Sequence, residues 1–278
     1  MKCYLCGKEA FKVIAGQEDI RFCCYGADKM VLECVFCGLV QLLPQWTEEE
    51  SDSLYAQYSQ KKDFEGQKRK VKISRWLPEM LNKEDRILEV GCGHGDNIQY
   101  LDEKGFNVVG IDKDLTICDD KLIFHCDWEK YIPTIKFDVI YGIHFLEHLS
   151  NPKEFIEWTI RNLSPKGKFI FEIPCIDDPL LTLYRSKAFN KFYWYPYHLF
   201  FYRKKTAELM FQEYWATMRN DVKVFQRQEY GLLNHLRWIF LRRPGNLNWH
   251  IPVLDDIYKF ILTRLGYSDT LIIVGQNN

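Results

Sequence analysis

The stretch RILEVGCGHGDNIQYL, Arg86 to Leu101, decides the fold of this 278-residue chain. It opens with the short apolar run RILEV, which suits a buried strand. Three glycines follow at alternate positions, Gly91, Gly93 and Gly95. DNIQYL then begins a helix. A strand, a glycine turn and a helix N-terminus together bring backbone amides close to a nucleotide-like ligand.

The same rhythm continues outward. GDNIQYLDEKG reads as a helix closed by Gly105, and FNVVGID as a second strand. KLIFHCD supplies a third strand and KFDVIYGI a fourth. NPKEFIEWTIRNLSPKG reads as a helix with Pro152 in its first turn and a stop at Gly167. KFIFEIP is a fifth strand, and DTLIIVG closes the series. Alternating strands and helices predict an α/β fold with a doubly wound, Rossmann-like parallel sheet. Ligands of such sheets lie at the carboxyl ends of the strands, near the switch in strand order. Asp112 ends the second strand there, where a carboxylate accepts hydrogen bonds from ribose hydroxyls.

The details of the turn separate two cofactors. A dinucleotide turn usually reads GxGxxG, whereas LEVGCGHG reads GxGxG and carries Glu89 just before it. A carboxylate in that place disfavours a pyrophosphate and suits a cation. S-adenosylmethionine carries an ammonium and a sulfonium and no phosphate. A dehydrogenase remains an alternative that the GxGxG turn speaks against.

LEVGCGHG, VVGIDKD, HCDWEK, FDVIYGIHFLEHLSNPKEF and LSPKGKFIFEIP follow one another in order between about Ile87 and Pro174. In this the chain resembles class I S-adenosylmethionine-dependent methyltransferases. The resemblance implies that Glu89, Gly91 and Gly93 face the methionine part and that Asp112 holds the ribose hydroxyls. It implies that Asp127 accepts from the adenine amine, that Trp128 lies beside the ring, and that His144 sits near the sulfonium. Read singly, Trp128 also fits a core residue, and His144 and His148 fit satisfied loop histidines.

Two CxxCG units, Cys3-Tyr-Leu-Cys6-Gly7 and Cys34-Val-Phe-Cys37-Gly38, stand near the N-terminus. Each two-residue spacer lets both sulfurs of one turn face a single metal. Cys3, Cys6, Cys34 and Cys37 thus supply the four sulfurs of a structural Zn²⁺ site with no open position. Cys23 and Cys24 are adjacent and read as strand residues beside it. After Pro44 the chain becomes charged and polar. Thr47 suits a capping box with Glu50, and QKRKVKISR, Gln67 to Arg75, reads as the wet face of a helix. We expect a zinc ribbon at 1–44, a helical linker or lid at 45–84 and a cofactor-binding domain at 85–278. A helical, acceptor-binding insertion at about 175–268 precedes the last strand. The knuckles and the linker resemble the zinc ribbon that precedes a methyltransferase domain in some bacterial enzymes of sugar and surface-polysaccharide biosynthesis, sugar C-methyltransferases included. Tyr55 and Tyr58 of the linker then become active-site candidates.

The acceptor side lies beyond the fifth strand. YPYHLFFYRKKTAELM resembles a segment of the sugar C-methyltransferases, with Tyr195 and His198 on matching positions. Pro196 and Tyr197 replace the glutamate-histidine pair of that segment, which puts C-methylation in doubt. His198 is the best candidate base, and Tyr195 a candidate orienter. His198 also reads as a cap of the helix over 204–213. The aromatic run FYWYPYHLFFY reads either as a packed lid or as a stacking surface for a sugar ring. Asn234, His235, Arg237, Arg242 and Arg243 suit an anionic acceptor such as a nucleotide diphosphate; they equally suit a solvated helix face.

Composition limits the rest. The chain is 47% hydrophobic, enough for a full core, and its net charge of -1 provides no broad basic field for nucleic acid. No apolar run is long enough for a membrane span, and MKCYLCGKEA lacks a signal-peptide core. We therefore expect a cytoplasmic enzyme that methylates a small, anionic sugar derivative. An RNA or protein methyltransferase guided by the ribbon is an alternative, although the first 44 residues are poor in Lys and Arg. A non-catalytic cofactor-binding module is another, although the glycine turn is intact.

Overall fold

The structure is a computed structural model that describes residues 1–16, 29–47, 49–51, 53–54, 74, 76–113, 121–214, 222–243 and 251–277. Cys23, Cys24, Tyr55 and Tyr58 lie outside the described residues. So do most of the helical linker and nearly all of the basic segment Gln67 to Arg75.

The strands are β1 (Phe11–Ala15), β2 (Met30–Cys34), β3 (Val40–Leu43), β4 (Arg86–Val90), β5 (Asn107–Asp112), β6 (Ile123–His125), β7 (Phe137–Ile143), β8 (Leu163–Pro174), β9 (Phe200–Phe201), β10 (Val222–Arg227) and β11 (Thr270–Gln276). The α-helices are α1 (Asp96–Glu103), α2 (Pro152–Asn162), α3 (Pro179–Thr182), α4 (Lys187–Tyr193), α5 (Lys204–Phe211), α6 (Leu232–Leu241) and α7 (Pro252–Arg264). One sheet has seven strands in the order β10-β11-β8-β7-β4-β5-β6, and a second has four in the order β1-β2-β3-β9. The α/β, doubly wound reading of the sequence is thereby observed.

Two compact units divide the described chain. One comprises Thr47–Glu172, Glu213–Lys223 and Ile273–Asn278; the other comprises Met1–Trp46, Ile173–Gln212 and Val224–Ile272.

In the first unit β4 pairs in parallel with β5 on one side and with β7 on the other. Flanked on both edges, it reads as a continuous buried run, Ile87 to Val90. Its N-terminal end is pinned by Asp138, whose carboxylate accepts from the Arg86 amide at 3.0 Å, from Arg86 Nε at 2.8 Å and from Ser164 Oγ at 2.7 Å. The Arg86 guanidinium holds the Asp138 carboxyl well below the usual carboxylate range. Thr47 and Glu50 form the expected capping box, with Thr47 N donating to Glu50 Oε2 and Glu50 N to Thr47 Oγ1.

One boundary differs from the sequence reading. α2 stops at Asn162, not at Gly167, and Leu163 is already extended at φ -74°, ψ 143°. Pro165 explains the difference. It has no N–H for an i→i−4 bond, and it pushes Ser164 out of helical geometry. LSPKG therefore joins β8, and Gly167 lies within that strand.

In the second unit β1, β2 and β3 form an antiparallel meander, and β9 joins the free edge of β3, with Val40 opposite Phe201 and Gln41 opposite Phe200. The Trp46 indole donates to the Pro196 carbonyl at 2.7 Å. The aromatic run forms a packed cluster: Phe189 and Phe192 lie 5.1 and 5.0 Å from Trp238, and Trp194 lies 5.1 Å from Phe201.

α5 is capped at Arg203, whose amide donates to Thr206 Oγ1 at 2.9 Å. His198 is therefore not the cap of that helix.

Candidate functional site

The glycine turn grows directly out of β4. Gly91 N and Cys92 N both donate to Ile111 O, at 2.9 and 3.2 Å, which folds the chain back over the end of β5. Gly91 has φ 71°, and a Cβ there would lie 2.3 Å from Phe145 Cδ2. Gly93 has φ 53°, and a Cβ there would meet nothing within 4 Å. The turn is thus closed against the protein at Gly91 and open at Gly93, the geometry of a backbone that a ligand approaches.

Gly93 N donates to Asp112 Oδ2 at 2.8 Å. That bond fixes the carboxylate at the end of β5, where the sequence places the ribose-binding residue. One strand further along the sheet, past the end of β6, lies Asp127. Its main-chain carbonyl accepts from Lys130 N and Tyr131 N at 3.0 Å each, making a tight turn after β6. Trp128 follows, half-buried, with its ring edge-on to Phe155 at 5.2 Å and to Trp158 at 6.0 Å. One of its edges is thereby packed and the residue is not wholly core.

Glu89 carries the most distinctive electrostatics. It is 2% exposed. Tyr141 Oη donates to its Oε2 at 2.9 Å and Asn97 Nδ2 to its Oε1 at 3.1 Å. Among the described residues no cation pairs with it. Burial pushes its pKa up to about 8 against the pull of the two donors, and the Asp112 charge adds to the rise. Burial and the Glu89 charge in turn push the Tyr141 phenol well above its ordinary value. Asn97 is itself anchored, because its Oδ1 accepts from Ser74 N at 3.0 Å.

His144 follows β7 in a left-handed conformation, φ 52°. Its Nδ1 lies 3.4 Å from Glu147 Oε1 and its Nε2 3.4 Å from Glu172 Oε1, and both carboxylates are buried. Glu172 Oε2 also accepts from Trp76 Nε1 at 2.8 Å. Each ring nitrogen of His144 thus faces a buried carboxylate, an arrangement that its place in the sequence did not disclose.

Sequence reasoning missed Tyr141, Asn97, Glu147 and Glu172. Tyr141 left a faint signal, as the lone phenol in the otherwise aliphatic core of DVIYGI. Asn97 left another, as a polar residue on the inward face of the first helical turn.

In the second unit the four cysteines come together. Cys3 Sγ is 3.4 Å from Cys37 Sγ, and Cys6 Sγ is 3.5 Å from Cys34 Sγ; all four sulfurs lie within 4.8 Å of one another. Zn–S bonds of about 2.3 Å in a tetrahedron require sulfurs about 3.8 Å apart, so the donor set fits. Burial opposes the Cys34 thiolate, but the Cys37 and Phe36 amides and the neighbouring thiols outweigh it and bring the group down to about 7. Burial raises Cys3 and Cys37 instead.

Tyr195 and His198 also meet in this unit. Their rings are 5.6 Å apart, and His198 N donates to Tyr195 O at 3.2 Å. Both side chains are half-buried.

Of the proposed anion ligands, Arg242 and Arg243 are exposed, and Asn234 and Arg237 are half-buried. His235 must be withdrawn from that set. It is 1% exposed, it shares a hydrogen bond with Tyr258 Oη at Nδ1, and burial lowers its pKa to about 4. A buried, neutral imidazole already engaged by a phenol does not bind phosphate.

A family model described as a methyltransferase domain matches residues 65–218. A ubiquinone biosynthesis O-methyltransferase of Rickettsia bellii is 29% identical over 92 residues, covering 29% of this chain and 38% of that protein. The chain therefore spans well under half the length of the curated relatives it matches. A solved SAM-dependent methyltransferase from Archaeoglobus fulgidus superposes with a TM-score of 0.50 at 19% identity, covering 73% of this chain and 90% of that one. The plantazolicin methyltransferase BpumL, solved with a pentazolic desmethylPZN analog and SAH, superposes at 0.51 with 17% identity, covering 82% and 94%. These likenesses establish the fold.

Proposed function

Because the chain belongs to the methyltransferase domain family, we propose that it transfers a methyl group from S-adenosylmethionine to a small polar acceptor. The observation that carries this reading is Glu89. A buried carboxylate with two neutral donors and, among the described residues, no cation is costly alone. A cationic ligand offsets that cost and a pyrophosphate aggravates it. S-adenosylmethionine, when bound, supplies the methyl group and a sulfonium that leaves as a neutral thioether.

The chain's own residues bind and orient. In this reading Asp112 accepts from the ribose hydroxyls, with Gly93 N fixing its orientation. Asp127 accepts from the adenine amine, Trp128 lies beside the ring, and Glu89, Gly91 and Gly93 line the methionine part. His144 stands near the sulfonium, bracketed by Glu147 and Glu172. His198 takes the proton that an acceptor hydroxyl loses as its oxygen bonds to the methyl carbon, and Tyr195 orients the acceptor. The acceptor we propose is a nucleotide-linked or phosphorylated sugar of surface-polysaccharide synthesis. The Rickettsia relative, by its name an O-methyltransferase, favours oxygen as the methylated atom. Cys3, Cys6, Cys34 and Cys37 hold a structural Zn²⁺.

Calorimetric titration of the zinc-loaded protein with S-adenosylmethionine and with NAD tests the reading. Binding of the first alone, lost in Asp112→Ala, supports it and opens a screen of sugar nucleotides as methyl acceptors. Binding of NAD alone, or of neither, overturns it.

A further inference from the structure

The two helices before β11 are built inside out. α6 buries His235 and Trp238 while Ile239, Phe240 and Leu241 face outward. α7 buries Asp255 and Leu262 while Val253, Ile257, Phe260 and Ile261 face outward. The outward set of α7 recurs at i, i+4, i+7 and i+8, a single apolar stripe. Phe240 is 74% exposed, Val253 71% and Phe260 62%.

This setting is fixed by polar bonds, so it is not a helix caught in an arbitrary rotation. Asp255 accepts from Leu232 N at 2.9 Å and from Ile251 N at 3.0 Å. Tyr258 Oη bonds His235 Nδ1 at 2.5 Å and Tyr184 Oη at 2.7 Å. Turning either helix to bury its apolar stripe would break these bonds and leave the buried Asp255 and His235 unsatisfied.

Cations edge the stripe. Arg242 and Arg243 follow α6 and are exposed. Arg264 ends α7 and is exposed, with its guanidinium 5.4 Å over the Phe260 ring. Lys259 and Arg237 are half-exposed. Of the two acids on these helices, Asp255 is buried and engaged, which leaves Asp256 alone at the surface. Contiguous exposed apolar surface of this kind marks an interaction site.

We infer that α6 and α7 dock on the surface of an anionic lipid bilayer. Phe240, Ile257 and Phe260 enter the boundary of the acyl chains, and Arg242, Arg243 and Arg264 meet headgroup phosphates. The charge pattern selects this occupant. A two-fold contact with a second copy would set one basic rim against another, and an apolar centre offers nothing to a nucleic acid. No described helix is long and apolar enough to cross the membrane, so the contact lies in the plane of the surface.

Co-sedimentation of the full chain with vesicles tests this without any cofactor, so its outcome is separate from that of the methyltransferase reading. Vesicles of equal parts phosphatidylcholine and phosphatidylglycerol are expected to carry the protein down; phosphatidylcholine alone is expected to carry far less. Arg242→Gln with Arg243→Gln lowers partitioning on the mixed vesicles about fivefold per charge. Phe260→Ser with Ile257→Ser lowers it at least about tenfold and leaves the thermal midpoint near that of the parent. No sedimentation with either vesicle, equal binding to both, or binding unchanged in both variants overturns the inference. A concentration-dependent dimer that Phe260→Ser dissociates, with no vesicle binding, assigns the face to a second copy and overturns it as well.

Discussion

Tyr141 and Glu89 stand opposite each other on the neighbouring parallel strands β7 and β4, and the phenol donates to the carboxylate at 2.9 Å. This bond stabilises the ionised form of a carboxyl that burial otherwise drives toward the acid. Below a pH of about 8 the free protein holds Glu89 protonated. A cationic ligand must expel that proton, so S-adenosylmethionine affinity rises with pH, up to about tenfold per unit, and levels off near pH 8. Tyr141→Phe removes one donor to the ionised form. Its levelling point moves upward, and affinity at neutral pH falls about tenfold. Calorimetry across pH 6 to 9 checks both; a flat profile in the parent contradicts the role given to Glu89.

The same shift fixes the pH dependence of stability. The folded value, about 8, lies above the ordinary 4.5. The contribution of protonated Glu89 is therefore complete below about 4.5 and is lost as pH rises through about 8. Glu89→Gln keeps the neutral form throughout. Denaturant titration should show this variant of the ligand-free protein more stable than the parent above pH 8, by a few kcal/mol in order of magnitude, although it binds the cofactor less well.

Asp112→Ala removes the acceptor of Gly93 N. We expect a stability loss of about 1 kcal/mol and a cofactor affinity lower by about ten- to a hundredfold. Thermal melting and calorimetry on the same sample separate the two.

The two glycines of the turn should respond differently to a methyl group. Gly91→Ala drives a Cβ into the Phe145 ring and is expected to cost about 1–3 kcal/mol. Gly93→Ala meets open space, so its cost is limited to a left-handed backbone, about 1 kcal/mol. A loss of cofactor affinity at Gly93→Ala in a well-folded protein would locate the ligand against that backbone. Full affinity there would remove Gly93 from the site.

Metal analysis should find one zinc per chain in the parent and none in Cys37→Ser. A chelator should lower the thermal midpoint of the parent and not that of the variant. Burial holds Cys3 and Cys37 as thiols, so zinc uptake releases protons and weakens as pH falls. Competition with a chromogenic chelator at two pH values reads this directly.

The sheet was legible in the sequence because its central strands, β4 and β7, are near-continuous buried runs and glycines punctuate the turns that follow β4 and α1. β4, β5, β6 and β7 fall where RILEV, FNVVGID, KLIFHCD and KFDVIYGI place them. What escaped was non-local. Glu89 lies 52 residues from Tyr141, and Trp76 lies 96 residues from Glu172. No local pattern encodes such a pairing; it exists only once the strand order is set. The end of α2 was misread for a local reason, since the glycine at 167 outweighed the proline at 165. His235 was misread because helices usually show their polar face to water, and α6 shows its apolar one.

The pairing of β9 with β3 has a consequence during synthesis. β3 is buried along its whole length in the finished protein, yet the strand that covers its outer edge is made far later in the chain. At translation speeds of about 5–20 residues per second, that edge waits roughly 8–30 s for its partner. Until then the nascent meander of β1, β2 and β3 carries an open apolar border on the ribosome. Its protection in that interval falls to whatever shields emerging chains, and not to the protein's own fold.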